Sequence, residues 1–341
     1  MANTIRFDDS DIVNDVQKVV TSTWSDNTNN LITSFTSSTQ ALFSTPTSSG
    51  AHFIEVFNKD PQSDTTAEVQ YAILYGHKAG SGSLDFTNDA GAIGNNASKN
   101  VYNQYRQLVF SDEASNFSFN GFTSDDIYVI NINRARYKHN LKPGSLDLKL
   151  SGSNLTLRLT DDSVTAVGSS TTTNAGRQFN IVSGALGIMS GSLLTQVENS
   201  GSYGFFYPDS GFIILNPAAV DHQLSELVPG VNANTAENNH LKLRTAISGA
   251  KHFIVDSEEK VSSQFYFVRA KNNQFNYTTN PSFIDTNGNV NITSFVDNPT
   301  TFITTVGLYN DNNDLVAVAK LSQPVTKDFT KEALIRVKLD Y

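Results

Sequence analysis

The chain has 341 residues, with 24 Lys and Arg against 33 Asp and Glu and a net charge of −9. That balance argues against a nucleic-acid-binding surface, which needs a basic footprint, and the absence of cysteine excludes disulfide staples and thiolate metal sites. Charged residues are only 17% and hydrophobic residues 38%, so Asn, Ser and Thr fill the balance, a composition suited to strands and turns. No apolar run reaches the ~20 residues of a membrane span. Residues 1–9 lack the apolar core of a signal peptide, and a cysteine-free chain is compatible with a reducing cytoplasm.

Residues 10–20 read as a short helix. Asp8, Asp9 and Asp11 stand at its start, where the dipole favours negative charge, and Ile12, Val16, Val19 and Val20 fall on one side at 3.6 spacing. Trp24 is the only tryptophan, and residues 25–50 are dense in Ser, Thr and Asn. Two readings fit this stretch: a linker, or an arm that orders against a neighbouring subunit. Trp24 is then either an interface anchor or a side chain tucked onto its own body. Residues 1–50 are therefore expected as an N-terminal helix and extended arm, with Ile12, Val16, Val19 and Trp24 as interface residues. Removing them should leave a folded body that no longer assembles.

Residues 51–341 read as a β-rich body, with a break between two subdomains near 160–178. Alternation marks a strand at 52–57, and residues 67–75 suit a buried strand or a short helix. Residues 76–83 form a glycine-rich loop. A helix follows over 97–110, with Val101, Tyr105 and Leu108 along one face. The β-branched run 127–132 is a buried strand. Residues 146–150 and 155–159 alternate around a four-residue loop as a hairpin. A strand at 178–182 precedes a Gly/Ser loop at 183–192. Residues 203–206 and 211–215 bracket Tyr207-Pro208-Asp209-Ser210 as a second hairpin. Asn216-Pro217 opens a helix reaching about residue 227, and another spans 238–247, ended by Gly249. After an extended segment at 253–256 come the C-terminal strands. In 301–309, Phe302, Thr304, Val306 and Leu308 share one face. Asn310 to Asp314 turn the chain, Leu315, Ala317, Ala319 and Leu321 share a face of the return strand, and 334–339 is a further strand. The fold class is mainly β or α+β, built of antiparallel strands and hairpins with a few short helices.

No catalytic, cofactor or metal constellation emerges. The six histidines are never three or four residues apart, so no helical ligand pair exists. The glycine-rich loop at 76–83 lacks the Gly-Lys-Ser/Thr ending of a phosphate loop. Asp285-Thr-Asn287-Gly-Asn289 and Asp311-Asn-Asn313 open like calcium loops but lack the glutamate at the twelfth position, and read as turns. Asp125-Asp126 and Asp161-Asp162 are neighbours that would point to opposite faces of a strand, which does not make an acid/base couple. Phe117, Phe119, Phe205, Phe206, Phe265 and Phe267 are expected in the core.

Several segments carry a family resemblance. Tyr266-Phe-Val-Arg-Ala-Lys-Asn272 with Phe275-Asn-Tyr-Thr-Thr-Asn-Pro281 resembles a segment of virion structural proteins of T4-like contractile-tailed phages, above all those of marine bacteria and cyanobacteria. Gly307-Leu-Tyr-Asn-Asp311, Leu315 to Ser322 and Ala333 to Tyr341 are similar to the same family, as are Ala67 to Ala72, Asp125 to Ile132 and Gly204 to Pro208. The resemblance spans most of the chain and implies a non-enzymatic structural subunit of the virion tail, in the baseplate, made in the host cytoplasm. Its partners would be other phage structural proteins, with several copies in a symmetric assembly, no nucleic acid, no membrane and no cofactor. A carbohydrate-binding tail surface module and a neck or capsid-surface protein are the alternative expectations.

Overall fold

The structure is a computed structural model that describes residues 5–24, 42–44, 53–59, 61, 63–80, 97–152, 155–165, 170–190, 202–224, 239–250, 252–278 and 280–340. A 3-10 turn at Asp9–Asp11 leads into β1 (Ile12–Ser22), then β2 (Leu42–Ser44), β3 (Phe53–Phe57) and β4 (Val69–His77). Helix α1 (Ala97–Phe110) is followed by a small hairpin of β5 (Phe117–Phe119) and β6 (Phe122–Ser124), then β7 (Asp126–Ile132) and β8 (Asn140–Leu141). Next come β9 (Asp147–Ser151), β10 (Thr156–Asp161), β11 (Thr171–Thr173), β12 (Gly176–Ala185), β13 (Ile188–Met189), β14 (Gly204–Tyr207) and β15 (Phe212–Leu215). Helices α2 (Pro217–Gln223) and α3 (Asn239–Ala250) precede β16 (Phe253–Ile254) and β17 (Asp256–Ala270). The chain continues through α4 (Thr293–Asp297), β18 (Thr301–Tyr309), β19 (Leu315–Lys327) and β20 (Ala333–Asp340).

Two compact units result: Val19–Glu259, and Met1–Lys18 together with Lys260–Tyr341. The division falls inside β1 and inside β17. A break was expected near 160–178; there, β10, β11 and the start of β12 belong to the larger unit. The described residues are strand-rich with antiparallel sheets, as expected from the sequence.

The larger unit is organised by one sheet of order β16-β9-β10-β12-β14-β15-β7-β4-β3-β2. Its central strand, β7, is apolar on both faces. Tyr128, Ile130 and Ile132 enter one core, while Ile127 and Val129 enter the other. A strand with two buried faces needs a cover on each. Helix α1 supplies one, packing Val101, Tyr102, Tyr105 and Val109 beside Phe117 and Phe119 of the β5–β6 hairpin. Helices α2 and α3 supply the other through Ala219, Val220, Leu243, Ala246 and Ile247. Helix α3 packs on β9 near one end of the sheet and on β3 and β4 near the other, so the sheet curls around it as a half-barrel. Across that curl, the rings of Phe253 and Tyr71 meet edge to face at 5.2 Å.

Local chemistry fixes the turns. Asn216 caps α2 by accepting a hydrogen bond from the Ala218 N–H at 3.2 Å, with Pro217 in the first turn. Gly204 has φ +150°, and its α-carbon faces the Ile214 carbonyl so closely that no Cβ fits. The loop expected at 183–192 begins as strand instead. β12 continues to Ala185, turns through Leu186 and Gly187, both at positive φ, and pairs back with β13. A two-residue turn of that kind needs positive φ at both positions, which is easily missed when the first is Leu.

The expected helix at 10–20 is a β-strand. Its apolar residues stand at positions that also match a 3.6 period, so spacing alone favoured a helix. Four of them are valines, whose branched side chains suit a pleated strand, and β17 is the sheet neighbour. The rest of the expected arm lies outside the described residues except for β2, which pairs with β3 in the large sheet. Trp24 is buried at 3% exposure. Its ring meets Phe253 at 5.1 Å and Tyr71 at 5.5 Å, and its Nε1–H donates to the Phe253 carbonyl at 3.1 Å. Of the two readings of Trp24, the structure takes the one in which it packs on its own body.

The smaller unit is a sheet of order β1-β17-β20 and a long hairpin, β18 with β19. β17 and β20 pair from Ser263 opposite Asp340 to Ala270 opposite Ala333. Val306, Leu308 and Val337 form the buried centre, with Tyr266, Val268, Ile335, Ala317 and Ala319 packed around them. Phe265 and Phe267 are not core: they are half-buried, with the Arg336 guanidinium 5.3 Å over the Phe265 ring. Phe302 does not share the Val306 face either. Ile303 pairs with Val325 but Thr305 with Lys320, so Thr304 alone stands opposite residues 321–324, and the irregularity resets the alternation. Pro324, which has no N–H to donate, sits in that interruption. Lys327 is fully buried, and its ammonium donates to Asn272 O, Asn276 Oδ1 and Asp328 O at 2.8–2.9 Å, tying the preceding loop to the hairpin.

Trp24→Ala is expected to destabilise the protein by about 3–5 kcal/mol, because it removes a buried ring and its hydrogen bond to the Phe253 carbonyl. Val16→Ala, on exposed β1, should change stability by less than about 0.5 kcal/mol. Urea unfolding of both variants measures the contrast. Similar losses in both would place Trp24 outside the core.

Candidate functional site

The most concentrated chemistry in the larger unit surrounds the start of β7. Register sets Tyr75 of β4 opposite Tyr128 and His77 opposite Asp126. The Tyr75 hydroxyl donates to Asp126 Oδ2 at 3.2 Å, and the Ser124 hydroxyl lies 3.1 Å from Oδ1. Asp221 of α2 and Lys242 of α3 act on the same region. Burial pushes the Asp221 carboxyl up to about 6, against a downward pull from the Lys242 ammonium and a further push from Asp126. Burial likewise raises Asp126, with Ser124 and His77 opposing, and lowers Lys242 against the attraction of the two carboxylates. His77 is lowered by burial, and its Nδ1 accepts from the Ala79 N–H at 3.1 Å, which suits a neutral ring. The seven groups, Tyr128 included through its interaction with Asp221, form a network beneath two helices. Its chemical capacity is to hold a proton among carboxyls, and its evident work is to seat α2 and α3 on the sheet.

A second cluster joins three strands. Arg158 binds Asp147 through two hydrogen bonds, at 2.7 and 2.5 Å, and His252 Nε2 lies 2.9 Å from Asp147 Oδ2. Burial alone would raise the Asp147 carboxyl. The bonds from Arg158 and His252 outweigh it and hold the group below the ordinary carboxylate range. This is a bidentate ion pair holding β9, β10 and the approach to β16 together. Asp161 and Asp162 are both buried: Asp161 accepts from Gly144 N–H at 2.7 Å through Oδ2 while its Oδ1 has no hydrogen-bond partner among the described residues, and Asp162 accepts from Asn180 N–H at 2.9 Å. Asp125 and Asp126 diverge, one exposed and one buried. Asp285 closes its own turn by accepting from the Asn287 and Asn289 N–H groups. Among the described residues, no group of three or more His, Asp or Glu gathers as metal ligands. Among them, too, no helix is long and apolar enough to cross a membrane.

The other unusual surface is apolar and lies on strands. β1 is exposed from Val13 through Thr21, with Val16 at 58%. On β18 and β19, Tyr309, Val316 and Val318 are 49–65% exposed while Ala317 and Ala319 pack inward. Of the residues expected at an interface, Val16 and Val19 are exposed on β1, Ile12 is half-buried at its start, and Trp24 stands apart in the core. Sequence reasoning did not single out Val316 and Val318. The signal was there: β19 is apolar at both alternating sets of positions, which calls for a cover on both faces. The polar network left no sequence signal, since Tyr75, Asp126, Asp221 and Lys242 are far apart in the chain.

No family model, no curated protein and no solved structure matches this chain.

The Asp221 carboxyl has a testable consequence. A carboxyl raised in the folded state contributes stability that is complete below its unfolded value and is lost as pH rises through the folded value. Stability should therefore fall between pH 4 and 6 by ~1–3 kcal/mol from this group. Asp221→Asn, which stays neutral, should flatten that part of the profile. Urea midpoints at pH 4.5, 5.5 and 7 decide the matter, and an unchanged slope in the variant would assign the dependence elsewhere.

Proposed function

We propose that this chain is a non-enzymatic structural subunit of a contractile-tailed phage virion, working in the tail baseplate by holding neighbouring subunits. The observation that carries the reading is the exposed apolar strand surface of β1, β18 and β19. Isolated exposed apolar residues are ordinary, whereas runs of them along neighbouring strand positions mark contact surfaces. Of the sequence segments that resemble virion structural proteins of T4-like phages, residues 307–322 include parts of β18 and β19, while 266–281 and 333–341 include parts of β17 and β20.

The charge distribution supports the same reading. The smaller unit carries ten Lys and Arg against eleven Asp and Glu, and the larger unit fourteen against twenty-two. Net charge far from zero keeps proteins apart. The nearly neutral unit, which bears the exposed β18–β19 face, resists association least. The dense polar clusters of the larger unit are committed to internal bonds, which fits a scaffold better than a reaction centre.

Quantitative mass spectrometry of purified virions tests the proposal through copy number. A small multiple of six is expected, because closed rotational symmetry fixes stoichiometry. Hundreds of copies would move the protein to the capsid surface or tail shaft, and absence from the particle would overturn the reading. A Val316→Glu, Val318→Glu double variant should unfold at the same urea midpoint within about 0.5 kcal/mol yet fail to incorporate.

A further inference from the structure

β1 lies at the end of its sheet, with β17 as its neighbour among the described residues. Such an edge presents a row of backbone donors and acceptors, and folded proteins blunt it with proline, bulges or several charges. β1 has no proline or glycine and five branched aliphatic residues, and it is exposed from Val13 to Thr21. The pattern of those residues is symmetric. Reading outward from Val16, polar residues fill the first two positions on each side, and Val13, Val19, Ile12 and Val20 fill the third and fourth.

We propose that β1 pairs antiparallel with β1 of a second copy of this chain, in a register centred on Val16. A twofold axis normal to the sheet keeps each residue on its own face, so a symmetric register must centre on a residue. Centred on Val16, the register sets Val16 against Val16, Ile12 against Val20 and Val13 against Val19. Asn14 then faces Lys18 and Asp15 faces Gln17, so apolar meets apolar and polar meets polar at every step. Moving the centre to Gln17 sets Asp15 against Val19 and Lys18 against Val16. Moving it to Asp15 sets two like charges opposite each other and Lys18 against Ile12. Only the Val16 centre avoids both mismatches. This pairing deepens the subunit reading above by naming one partner, and it stands or falls on its own measurement.

One strand pair buries less than a standard interface, so transient association is best trapped covalently. The chain has no cysteine, and a single introduced thiol reports only on itself. Opposed residues in an antiparallel ladder have Cα atoms about 4.5–5.5 Å apart, within disulfide reach. Two copies of residue 13 would lie about 20 Å apart in this register. Purified full-length Val16→Cys, oxidised with copper phenanthroline, should form disulfide dimers at least about tenfold faster than Val13→Cys. An equimolar mixture of Val13→Cys and Val19→Cys should give the mixed dimer. Thermal unfolding of each reduced variant at the wild-type temperature confirms that the fold is kept. No dimer from Val16→Cys, or equal dimer from all three, overturns the register. In either case the copy number in virions still reports separately on the subunit reading.

Discussion

β7 is the constraint on which the larger unit depends. It is hydrogen-bonded on both sides, to β15 and β4, and apolar on both faces. A sheet flat in the middle and open at the ends could not bury both faces with this few helices. The curl solves the problem by wrapping one face around α3, while α1 and the β5–β6 hairpin cover the other. Trp24, Tyr71 and Phe253 then close the curl where its two ends approach. The Trp24 indole joins packing to hydrogen bonding there, because its N–H also donates to the Phe253 carbonyl.

The polar groups of that unit follow from the same geometry. Once the concave face is filled, any side chain at the end of a central strand is desolvated. Asp126 and Asp221 are therefore raised, Lys242 is lowered, and the tyrosine hydroxyls beside them are kept protonated. Perturbed titration at such a place is also what a reaction centre would show. Here the Tyr75 and Ser124 hydroxyls reach Asp126, and Asp221 of α2 and Lys242 of α3 act on each other.

The smaller unit solves its burial problem less completely. Its centre rests on Val306, Leu308 and Val337, with the buried Lys327 securing a loop by three hydrogen bonds. A layer this thin leaves the outer faces of β18 and β19, and nearly all of β1, in solvent. Exposed strands of that length are an association hazard for a protein that works alone and a resource for one that works in an assembly.

Much of this architecture was legible in the sequence. The hairpin at β14 and β15 followed from Tyr207-Pro-Asp-Ser between apolar runs, α2 from Asn216-Pro217, and β7 from the β-branched and aromatic run Ile127 to Ile130. These signals are local: a turn, a cap or a run of stiff side chains restricts the backbone wherever it occurs. What the sequence could not decide was what each segment would touch. Ile12 to Val20 carry a spacing compatible with helix or strand, and only the neighbouring β17 resolved it. Phe302 lost its expected face to an irregularity set by the partner strand, and Trp24 found its pocket more than two hundred residues away, at Phe253. By itself the sequence determined an antiparallel, loop-rich, cysteine-free chain and most of its strands, because those depend on neighbours in the chain. The tertiary structure decided which apolar surfaces were buried, which carboxyls were desolvated and which strands stayed open, because each of those depends on segments brought together from a distance.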